Sequence, residues 1–469
     1  MTAPRQPQRI SLPRKPSYVT ITEDCDYFEL FKKIEKHFET CFILESLGEE
    51  SYVARHTLIG FDPEKQLIAN GNSLTIADRA GNEELYSSDN PYALLRQITP
   101  QNILSRRYAG GLTGYLSYDA MSYFEPSLAL KSNEDFDTFR FGLFKDGLIY
   151  DKMTGELIYF HYDESRIDLI RRLLGEPFQG NGPLQVVPGE TTMNREQHAE
   201  AVLNVKRDII DGKIFQCEVG FKKRFRLLGD CINIYERMRE VNPSPQMFYL
   251  KFGPQKLISA SPEMLFRVRQ GEMETFPLAG TTRRGATPQE DIALARQLLN
   301  DPKEIAEHNM LVDLHRNDIG RVARFGTVKV RNLMDIKRFS HVQHISSEIV
   351  GIMAENEDMF SALASNFPAG TLTGAPKIEA MKIIDDLETD GRGPYGGAVG
   401  HFSFNGDCTF AIPIRTVFAN GENAYVQTCG GNVYDSNPAD EYQEIMRKFA
   451  GTRTALEPFV APEDREKLA

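Results

Sequence analysis

The clearest pattern of apolar and polar positions in the first half of the chain is that of short β-strands. Residues 139–160, FRFGLFKDGLIYDKMTGELIYF, contain three runs rich in Phe, Tyr, Leu and Ile, separated by Lys-Asp-Gly and Met-Thr-Gly-Glu. Short apolar runs bounded by turn residues are typical of strands joined by hairpins. The segment is therefore predicted to form a three-stranded antiparallel meander.

The second half mixes helical periodicity with strand-like runs. Asn194 can cap a helix, Gln197 stands at the capping-box position, and apolar residues follow at helical spacing as far as Ile210. Further helices are predicted over residues 291–299, 303–314, 376–387 and 438–449. The runs FAIPIRTVF and AYVQTC are typical of strands. Helices and antiparallel strands without strict alternation predict an α+β fold.

Proline and glycine divide the chain into regions. Residues 1–16 contain four prolines and are predicted to be a flexible arm. A second cluster of proline and glycine predicts a linker over residues 177–191. The predicted regions are then 17–176 on the amino-terminal side and 192–469 on the carboxy-terminal side. A length of 469 residues agrees with two domains or one large layered domain.

The composition of the chain argues against several classes of function. The formal charge of −12 argues against binding along a nucleic-acid backbone, which requires a basic surface. No apolar run approaches the roughly 18 residues of a membrane span, and the basic start of the chain has no apolar signal core. The six cysteines are scattered without a Cys-x-x-Cys pair, which is typical of reduced thiols. We expect a cytoplasmic protein that binds neither nucleic acid nor membranes.

Two predicted helices each carry a pair of glutamates one turn apart. Glu304 and Glu307 share the stripe of the leucines that follow them, and Glu441 and Glu444 lie on one face of the last long helix. Like charges at this spacing repel, and Mg²⁺ bound by carboxylate oxygens would relieve the repulsion. Alternatively, Lys448 pairs with Glu444 on a solvated face.

Three further features have both a chemical and a structural interpretation. The segment NFPAGTLTGAPKIEA leads from a glycine-rich turn into a helix, where backbone N–H groups and Thr371 could bind an anion, or it is an ordinary loop. His341 and His344 could act as acid or base, although structural histidines are more common. Arg415, in the apolar run FAIPIRTVF, requires an anionic partner, which is either a substrate carboxylate or a protein side chain.

Read in order, these segments resemble the chorismate-utilising enzymes. The matching blocks are NPSPQMFYL, ISASPEMLFRV, PLAGT, DPKEIAEHNMLVDLHRND, RFSHVQHI, FPAGTLTGAPK, RGPYGGAVG and NPADEYQE, which lie between about residues 194 and 451. The amino-terminal half is similar more loosely, through FILES, IGFDP and GGLTGYLSYD. The resemblance implies a four-layer α/β/β/α sandwich.

The resemblance also implies roles for individual residues. Glu307 and Glu444 would bind Mg²⁺, supported by Glu304 and Glu441. Glu263 would be the general acid that protonates the departing C4 hydroxyl of chorismate, and His344 would assist the loss of pyruvate. The groups expected to bind or position the substrate are Thr281, Thr371, Tyr395, Arg415 and the backbone at Cys429, Gly430 and Gly431.

Two positions indicate which reaction of the family is expected. Family members that use water have a lysine base where this chain has Gln216, and ammonia does not need that base because it has its own lone pair. Aminodeoxychorismate-forming members have a nucleophilic lysine where this chain has Ala279. The expected reaction therefore converts chorismate and ammonia to anthranilate and pyruvate, the first committed step of tryptophan biosynthesis. The alternatives are aminodeoxychorismate formation and a non-catalytic sensor of chorismate or tryptophan.

Expected partners follow from the same resemblance. The chain has no recognisable Cys-His glutaminase module, so a separate glutamine amidotransferase subunit would supply the ammonia. Glu45, Ser46, Pro245 and Met247 resemble a tryptophan feedback site, although Gln246 departs from it. Other departures from the family pattern are Thr282, His315, Cys429 and Asn432.

Overall fold

A computed structural model describes residues 6–48, 55–338 and 342–468. The first part of the chain forms β1 (Ser17–Ile21), α1 (Tyr27–His37), β2 (Thr40–Glu45), β3 (His56–Phe61), β4 (Lys65–Asn70), β5 (Ser73–Asp78), β6 (Glu83–Ser87), α2 (Pro91–Ile98), β7 (Gly111–Leu116), β8 (Phe139–Phe144), β9 (Asp146–Asp151), β10 (Glu156–His161) and α3 (Ile167–Gly175).

The second part forms β11 (Leu184–Thr191), α4 (Arg195–Ile210), β12 (Gln216–Gly229), α5 (Ile232–Val241), β13 (Gln246–Phe252), β14 (Gln255–Ser261), β15 (Met264–Arg269), β16 (Glu272–Thr275), β17 (Leu278–Arg283), α6 (Pro288–Leu298), α7 (Pro302–Gly320), β18 (Lys329–Arg338), β19 (Val342–Ile352), α8 (Met359–Asn366), β20 (Gly374–Ala375), α9 (Lys377–Leu387), β21 (Ala398–Ser403), β22 (Cys408–Ala411), β23 (Thr416–Asn420), β24 (Asn423–Asn432), α10 (Pro438–Leu456) and α11 (Arg465–Leu468). Short 3-10 turns occupy Tyr118–Tyr123, Gly370–Leu372, Glu457–Phe459 and Pro462–Asp464.

The described strands form two large antiparallel sheets. The first sheet has the order β1-β10-β9-β3-β2-β13-β14-β23-β24-β12-β11, with β20 paired to β12. The second has the order β17-β19-β16-β15-β22-β21-β7-β8-β4-β5-β6, with β18 paired to β19. Both sheets contain strands from either side of the predicted linker, and residues 184–191 of that linker are β11 itself. The two halves of the chain therefore share the same sheets.

Side chains alternate between two cores along the strands of the first sheet. On β2, Phe42 points into the core between the sheets, whereas Cys41 and Ile43 pack with the helices on the opposite face. A third core, under β12, joins α4, α9 and α10, while α6, α7 and α8 contact the second sheet. This arrangement is the expected four-layer α/β/β/α sandwich.

The predicted meander over residues 139–160 is correct in its strands and wrong in its pairing. β9 pairs with β10 in the first sheet, but β8 pairs with β4 and β7 in the second. The chain changes sheet at Lys145, between β8 and β9. Both faces of β8 are largely buried, so its apolar pattern could not indicate which sheet it joins.

The run FAIPIRTVF is a second place where the chain changes sheet. β22 ends at Ala411 in the second sheet and β23 begins at Thr416 in the first. The intervening residues form no strand, and Arg415 has a φ of 52°, in the left-handed region that side chains rarely adopt. This crossing, rather than a continuous strand, positions Arg415.

The predicted helices are present with shifted ends. Asn194 and Gln197 form the predicted capping box at the start of α4, while α7 and α10 extend to Gly320 and Leu456, well beyond their predicted ends. Residues 6–16 form neither helix nor strand, and the Ile10 N–H donates to the carbonyl oxygen of Ile98. In the described part of the chain, every helix is too short or too polar to span a membrane.

Candidate active site

One cavity collects most of the predicted site residues. It has an empty volume of about 970 Å³, including the open space at its mouth. Its walls come from β12, β17, β19 and β24, from helices α7 and α10, and from the segments that connect the two sheets. The predicted residues that line it are Gln216, Glu263, Thr281, Glu307, His344, Thr371, Tyr395, Arg415, Cys429 and Glu444.

Glu263 provides a buried carboxyl group in this cavity. It lies between β14 and β15, where the chain crosses from the first sheet to the second, and it is 7% exposed. The Thr371 hydroxyl donates to Glu263 Oε1 over 3.0 Å. Burial raises the pKa of Glu263 to about 7, and the nearby charge of Glu218 adds to the rise. The group can therefore hold a proton near neutral pH.

Arg415 provides a cationic group on the same cavity. Its guanidinium donates no hydrogen bond and forms no ion pair within the described residues, although the Arg415 carbonyl accepts from Ala260 N–H. Burial lowers the pKa of Arg415 because it disfavours the charged form. A carboxylate brought into the cavity would supply the missing counter-charge.

The wall formed by β12 and β24 carries a set of hydrogen-bonded polar side chains, one of which was not predicted from the sequence. Gln216 Nε2 donates to Glu218 Oε1 over 3.3 Å, and the Cys429 thiol donates to Glu218 Oε2 over 3.3 Å. Tyr395 OH donates to Cys429 Sγ over 3.0 Å, so its hydroxyl is engaged with protein. Glu218 was not predicted, although a carboxylate inside the apolar run IFQCEVG was a usable signal.

Glycine at position 431 is what allows this group to form. Gly431 lies opposite Glu218 in the pairing of β12 and β24. A Cβ atom at Gly431 would lie 2.5 Å from Glu218 Oε1 and 2.8 Å from Gln216 Nε2. Gly431 and Gly430 are not among the residues lining the cavity. Gly431 therefore contributes by leaving space for the side chains of Glu218 and Gln216, which do line the cavity.

His344 lies on β19, opposite Thr281 of β17. Its Nδ1 is 3.0 Å from the Gly280 carbonyl oxygen and 3.0 Å from Thr281 Oγ1. Because a carbonyl oxygen only accepts, Nδ1 carries the proton in this contact, and Nε2 is the ring nitrogen that can take up another. Burial lowers the pKa of His344, which favours the neutral base. His341, the other predicted histidine, lies outside the described residues.

The four predicted metal-binding carboxylates lie on α7 and α10, which both border the cavity. Burial raises the pKa of Glu307, and the neighbouring carboxylate of Glu304 adds to this rise. Burial also raises the pKa of Glu304, and the carboxylate of Glu444 adds to it. Burial also raises the pKa of Glu441, again with Glu444 contributing. Glu444 pairs with Lys448 at 2.7 Å, which was the alternative interpretation of this helix. The two glutamate pairs are thus near enough to repel one another.

The chemistry of these carboxylates fits a hard divalent cation. Oxygen atoms from carboxylates are the ligands that Mg²⁺ prefers. Glu441 Oε2 is buried and has no hydrogen-bond partner among the residues that the structure describes. The Glu304 carboxylate is close to Gly280, where a Cβ atom would lie 2.8 Å from its Oε2. Among the described residues, no group of three His, Cys, Asp or Glu side chains is already arranged to hold a metal ion. Binding would therefore require these side chains to turn toward one another.

The predicted feedback residues line a second cavity, with an empty volume of about 1090 Å³. Glu45, Ser46, Pro245, Gln246 and Met247 all border it. The Glu45 carboxylate is held by side chains from the neighbouring helices. It accepts from Tyr235 OH over 2.7 Å, from Tyr27 OH over 3.0 Å and from Arg239 Nε over 2.9 Å. Its negative charge is therefore already neutralised by the protein.

Two of the remaining departures from the family pattern, Asn432 and His315, are explained by the contacts that their side chains make. Asn432 is buried, and its Nδ2 donates to the carbonyl oxygens of Cys217 and Gly430, which ties β12 to β24. His315 is buried against Thr275, with 2.8 Å between Nδ1 and Oγ1, and burial lowers its pKa to about 3. Both residues are structural. Nothing in the structure explains Thr282.

Comparison with known proteins identifies the family. The family model described as chorismate binding enzyme matches residues 39–453. The chain belongs to the chorismate binding enzyme family. Of two members similar to it, anthranilate synthase component 1 of Leptospira biflexa is 50% identical over 461 residues, covering 97% of this chain and 99% of that protein. The protein of the same name from Methanothermobacter thermautotrophicus is 43% identical, covering 92% of each chain.

Solved structures of this family share the fold. Anthranilate synthase component I from Streptococcus pneumoniae superposes with a TM-score of 0.76 at 31% identity, covering 86% of this chain and 93% of that one. The menaquinone-specific isochorismate synthase MenF from Escherichia coli superposes with a TM-score of 0.71 at 17% identity, covering 95% and 96%. The second similarity shows the fold alone. These neighbours confirm the predicted fold class.

Proposed function

We propose that this chorismate binding enzyme converts chorismate and ammonia to anthranilate and pyruvate. The names of the relatives at 50% and 43% identity support the proposal. The observation that carries it is the presence, in one cavity, of a carboxyl group whose pKa is raised to about 7 and a guanidinium that pairs with no anionic side chain of the described residues. Chorismate has two carboxylates and a hydroxyl group that must be protonated before it leaves.

Substrate binding is assigned to the cationic side of the cavity. Arg415 pairs with one carboxylate of chorismate, because its guanidinium forms no ion pair with any side chain that the structure describes. Thr281 adds a hydroxyl on the opposite wall, beside His344. Tyr395 contributes its ring, since its hydroxyl already donates to Cys429. Charge complementarity thus fixes one end of the substrate before the ring reacts.

The chemistry is assigned to Glu263 and His344. Ammonia attacks C2, the ring double bonds shift, and the C4–O bond breaks as Glu263 donates its proton, so that water leaves. His344 Nε2 then takes the proton from C2 while the bond to the enolpyruvyl oxygen breaks. The electron pair of that bond leaves with the oxygen, and the released enolate takes up a proton to become pyruvate. Gln216, a neutral amide, suits ammonia as the nucleophile. Ala279 lines the cavity and cannot form a covalent intermediate.

Magnesium is proposed as the cofactor, bound by Glu307 and Glu444 with Glu304 and Glu441 in support. When bound, the ion would neutralise a substrate carboxylate and relieve the repulsion between the two glutamate pairs. Lys448 already neutralises part of this charge, since its ammonium lies 2.7 Å from Glu444 Oε1. The cation and the lysine would therefore share Glu444.

A second subunit and a cytoplasmic location complete the proposal. The relatives are named component 1, which supports a partner, and we assign to that partner the release of ammonia from glutamine. All six cysteines are unpaired, which agrees with a reducing compartment. Tryptophan is proposed as an inhibitor that binds in the second cavity.

The test is a product assay on the purified chain. With chorismate, Mg²⁺ and an ammonium salt, we expect anthranilate and an equal amount of pyruvate. Aminodeoxychorismate without pyruvate would instead establish the alternative amination, and no turnover at all would leave the sensor interpretation. The exposed variant Glu457→Gln serves as the control and is expected to retain full activity.

A further inference from the structure

Glu218 is a buried carboxyl group in the active-site cavity that the chemistry above does not use. It lies on β12, two residues after Gln216, and it lines the same cavity as Glu263 and Arg415. The residue is 6% exposed. Its side chain is therefore in contact with the reacting space rather than with bulk solvent.

Within the described part of the chain, the side-chain hydrogen bonds to this carboxyl group come from neutral donors. Its hydrogen bonds come from the Gln216 amide and the Cys429 thiol, and it forms no ion pair with any described residue. Lys448 is a nearby cation, but its ammonium group contacts the Cys429 carbonyl oxygen at 3.0 Å and Glu444 at 2.7 Å. Burial raises the pKa of Glu218 to about 7, although the charge of Lys448 opposes this rise. The carboxyl group can therefore take up a proton near neutral pH, and a small cation entering the cavity would find two carboxylate oxygens there.

Extending the function proposed above, on which this inference rests, we propose that Glu218 binds the entering ammonium ion and accepts the proton that it must lose before attack. In water near neutral pH, ammonia is mostly the ammonium ion, which has no lone pair to offer. One N–H bond breaks and the proton passes to a Glu218 oxygen, which leaves neutral ammonia. Its lone pair then forms the C–N bond at C2, and Glu263 supplies a different proton to the departing hydroxyl, which leaves as water. The ammonio group at C2 and Glu218 then each release one proton, and Glu263 takes one up, so that both carboxyl groups return to their starting states.

The two neighbours of Glu218 hold it for this task. Gln216 Nε2 donates to Oε1 and the Cys429 thiol donates to Oε2, so both carboxylate oxygens are fixed at the β12–β24 wall. Each oxygen still has a second lone pair for an ammonium N–H. Burial raises the pKa of Cys429 to about 12, so the thiol remains a donor. Gln216 and Cys429 are thus positioning residues, while Glu218 is the catalytic residue.

The test measures KM for ammonium and KM for chorismate in the variant Glu218→Gln. This variant keeps the shape and removes the charge, so we expect KM for ammonium to rise about tenfold or more while KM for chorismate stays within about twofold. Glu218→Asp restores part of the ammonium affinity, and the exposed variant Glu422→Gln, on the β23–β24 turn, leaves both constants unchanged. An unchanged KM for ammonium, or an equal rise in both constants, overturns the inference.

A measurement on the unsubstituted protein covers the case in which Glu218→Gln does not fold. Rb⁺ is close to ammonium in size and cannot donate a proton, so we expect it to inhibit competitively against ammonium and not against chorismate. Absence of that competition overturns the inference. If the unsubstituted protein makes anthranilate but fails these tests, only the role of Glu218 is wrong. If it makes no anthranilate, the proposed function itself fails.

Discussion

A carboxylic acid that donates a proton near neutral pH has to be kept from ionising, and burial does this for Glu263. Thr371 donates a hydrogen bond to Oε1, which favours the charged form, yet burial outweighs it and the pKa rises to about 7. At its ordinary value the group would be almost fully ionised at pH 7. The crossing between β14 and β15 thus places an acid where a solvent-exposed glutamate could not act as one.

Replacing Glu263 by Gln should remove the proton donor and leave the shape of the cavity. We expect kcat to fall by about 10²- to 10⁴-fold, with KM for chorismate nearly unchanged because Arg415 is intact. Steady-state kinetics with saturating ammonium measure both constants. A loss confined to KM would contradict the assignment, and an activity equal to that of the unsubstituted chain would exclude Glu263 as the acid.

The raised pKa of Glu263 also predicts how stability depends on pH. A carboxyl group with a folded-state pKa of about 7, against an ordinary 4.5, stabilises the fold at low pH and loses that contribution as pH rises through 7. The cost at pH 8 is on the order of 3 kcal/mol. Glu263→Gln, which cannot ionise, should therefore be more stable relative to the unsubstituted chain at pH 8 than at pH 5. Urea unfolding of both proteins at pH 5 and pH 8 measures the difference in their free energies of unfolding. A difference that is the same at both pH values would refute the prediction.

At the scale of elements, the site depends on two helices that bring their glutamate pairs to one cavity. In the structure, the charge of Glu444 contributes to the raised pKa of Glu304, Glu307 and Glu441 on α7 and α10, while Lys448 lowers the pKa of Glu444 itself. We expect chelation of Mg²⁺ to abolish turnover, and Glu307→Gln to weaken Mg²⁺ binding at least about tenfold by calorimetry. The matched variant Glu463→Gln, from the third pair near the end of the chain, should bind as the unsubstituted protein does. Full activity after chelation would contradict the magnesium assignment.

The close pairing of β12 and β24 is the element that carries Glu218 and Cys429. A Cβ atom at Gly220 would clash with the Thr428 carbonyl oxygen and lie 2.5 Å from Cys429 Cα. Gly220→Ala should separate the strands, reducing the free energy of unfolding by about 1–3 kcal/mol and lowering activity. Gly320→Ala, at the end of α7, is the control and should be neutral or slightly stabilising, because an added Cβ atom there would meet no described atom within 4 Å beyond its chain neighbours and the helix backbone. Equal unfolding energies for the two variants would contradict this role.

The same elements show what the sequence can and cannot predict. Capping residues act locally, so Asn194 predicted the start of α4 correctly, and strand-like runs were located over residues 139–160. The pairing of β8 was missed because both of its faces are buried, and sheet membership depends on distant strands. The site residues were named largely through family resemblance. The contacts of Glu218 could not be predicted, since they require β24 to lie opposite β12 with glycine at 431.

At the scale of the whole molecule, the two cavities share the segments that cross between the sheets. Glu263 lines the active-site cavity, and the next residue, Met264, lines the second cavity. The same holds for the second crossing, between β22 and β23, where Ala411 lines the second cavity and Arg415 lines the active-site cavity. The two crossings are joined by a hydrogen bond, which Ile412 N–H donates to the Glu263 carbonyl oxygen. A ligand in the second cavity would therefore contact Met264, next to Glu263, and Ala411, on the crossing that also carries Arg415.

This shared wall predicts that tryptophan inhibits the enzyme without occupying the active site. Because Glu45 is already neutralised by Arg239, the amino group of tryptophan must find its hydrogen bonds elsewhere in the second cavity, and we expect the indole ring to pack against Met247. Saturating L-tryptophan should lower kcat/KM for chorismate, D-tryptophan should have less effect, and Met247→Ala should weaken the inhibition while leaving basal turnover measurable. Initial rates with and without tryptophan provide the measurement. Unchanged rates under saturating L-tryptophan would show that the second cavity does not regulate the active site through the two crossings.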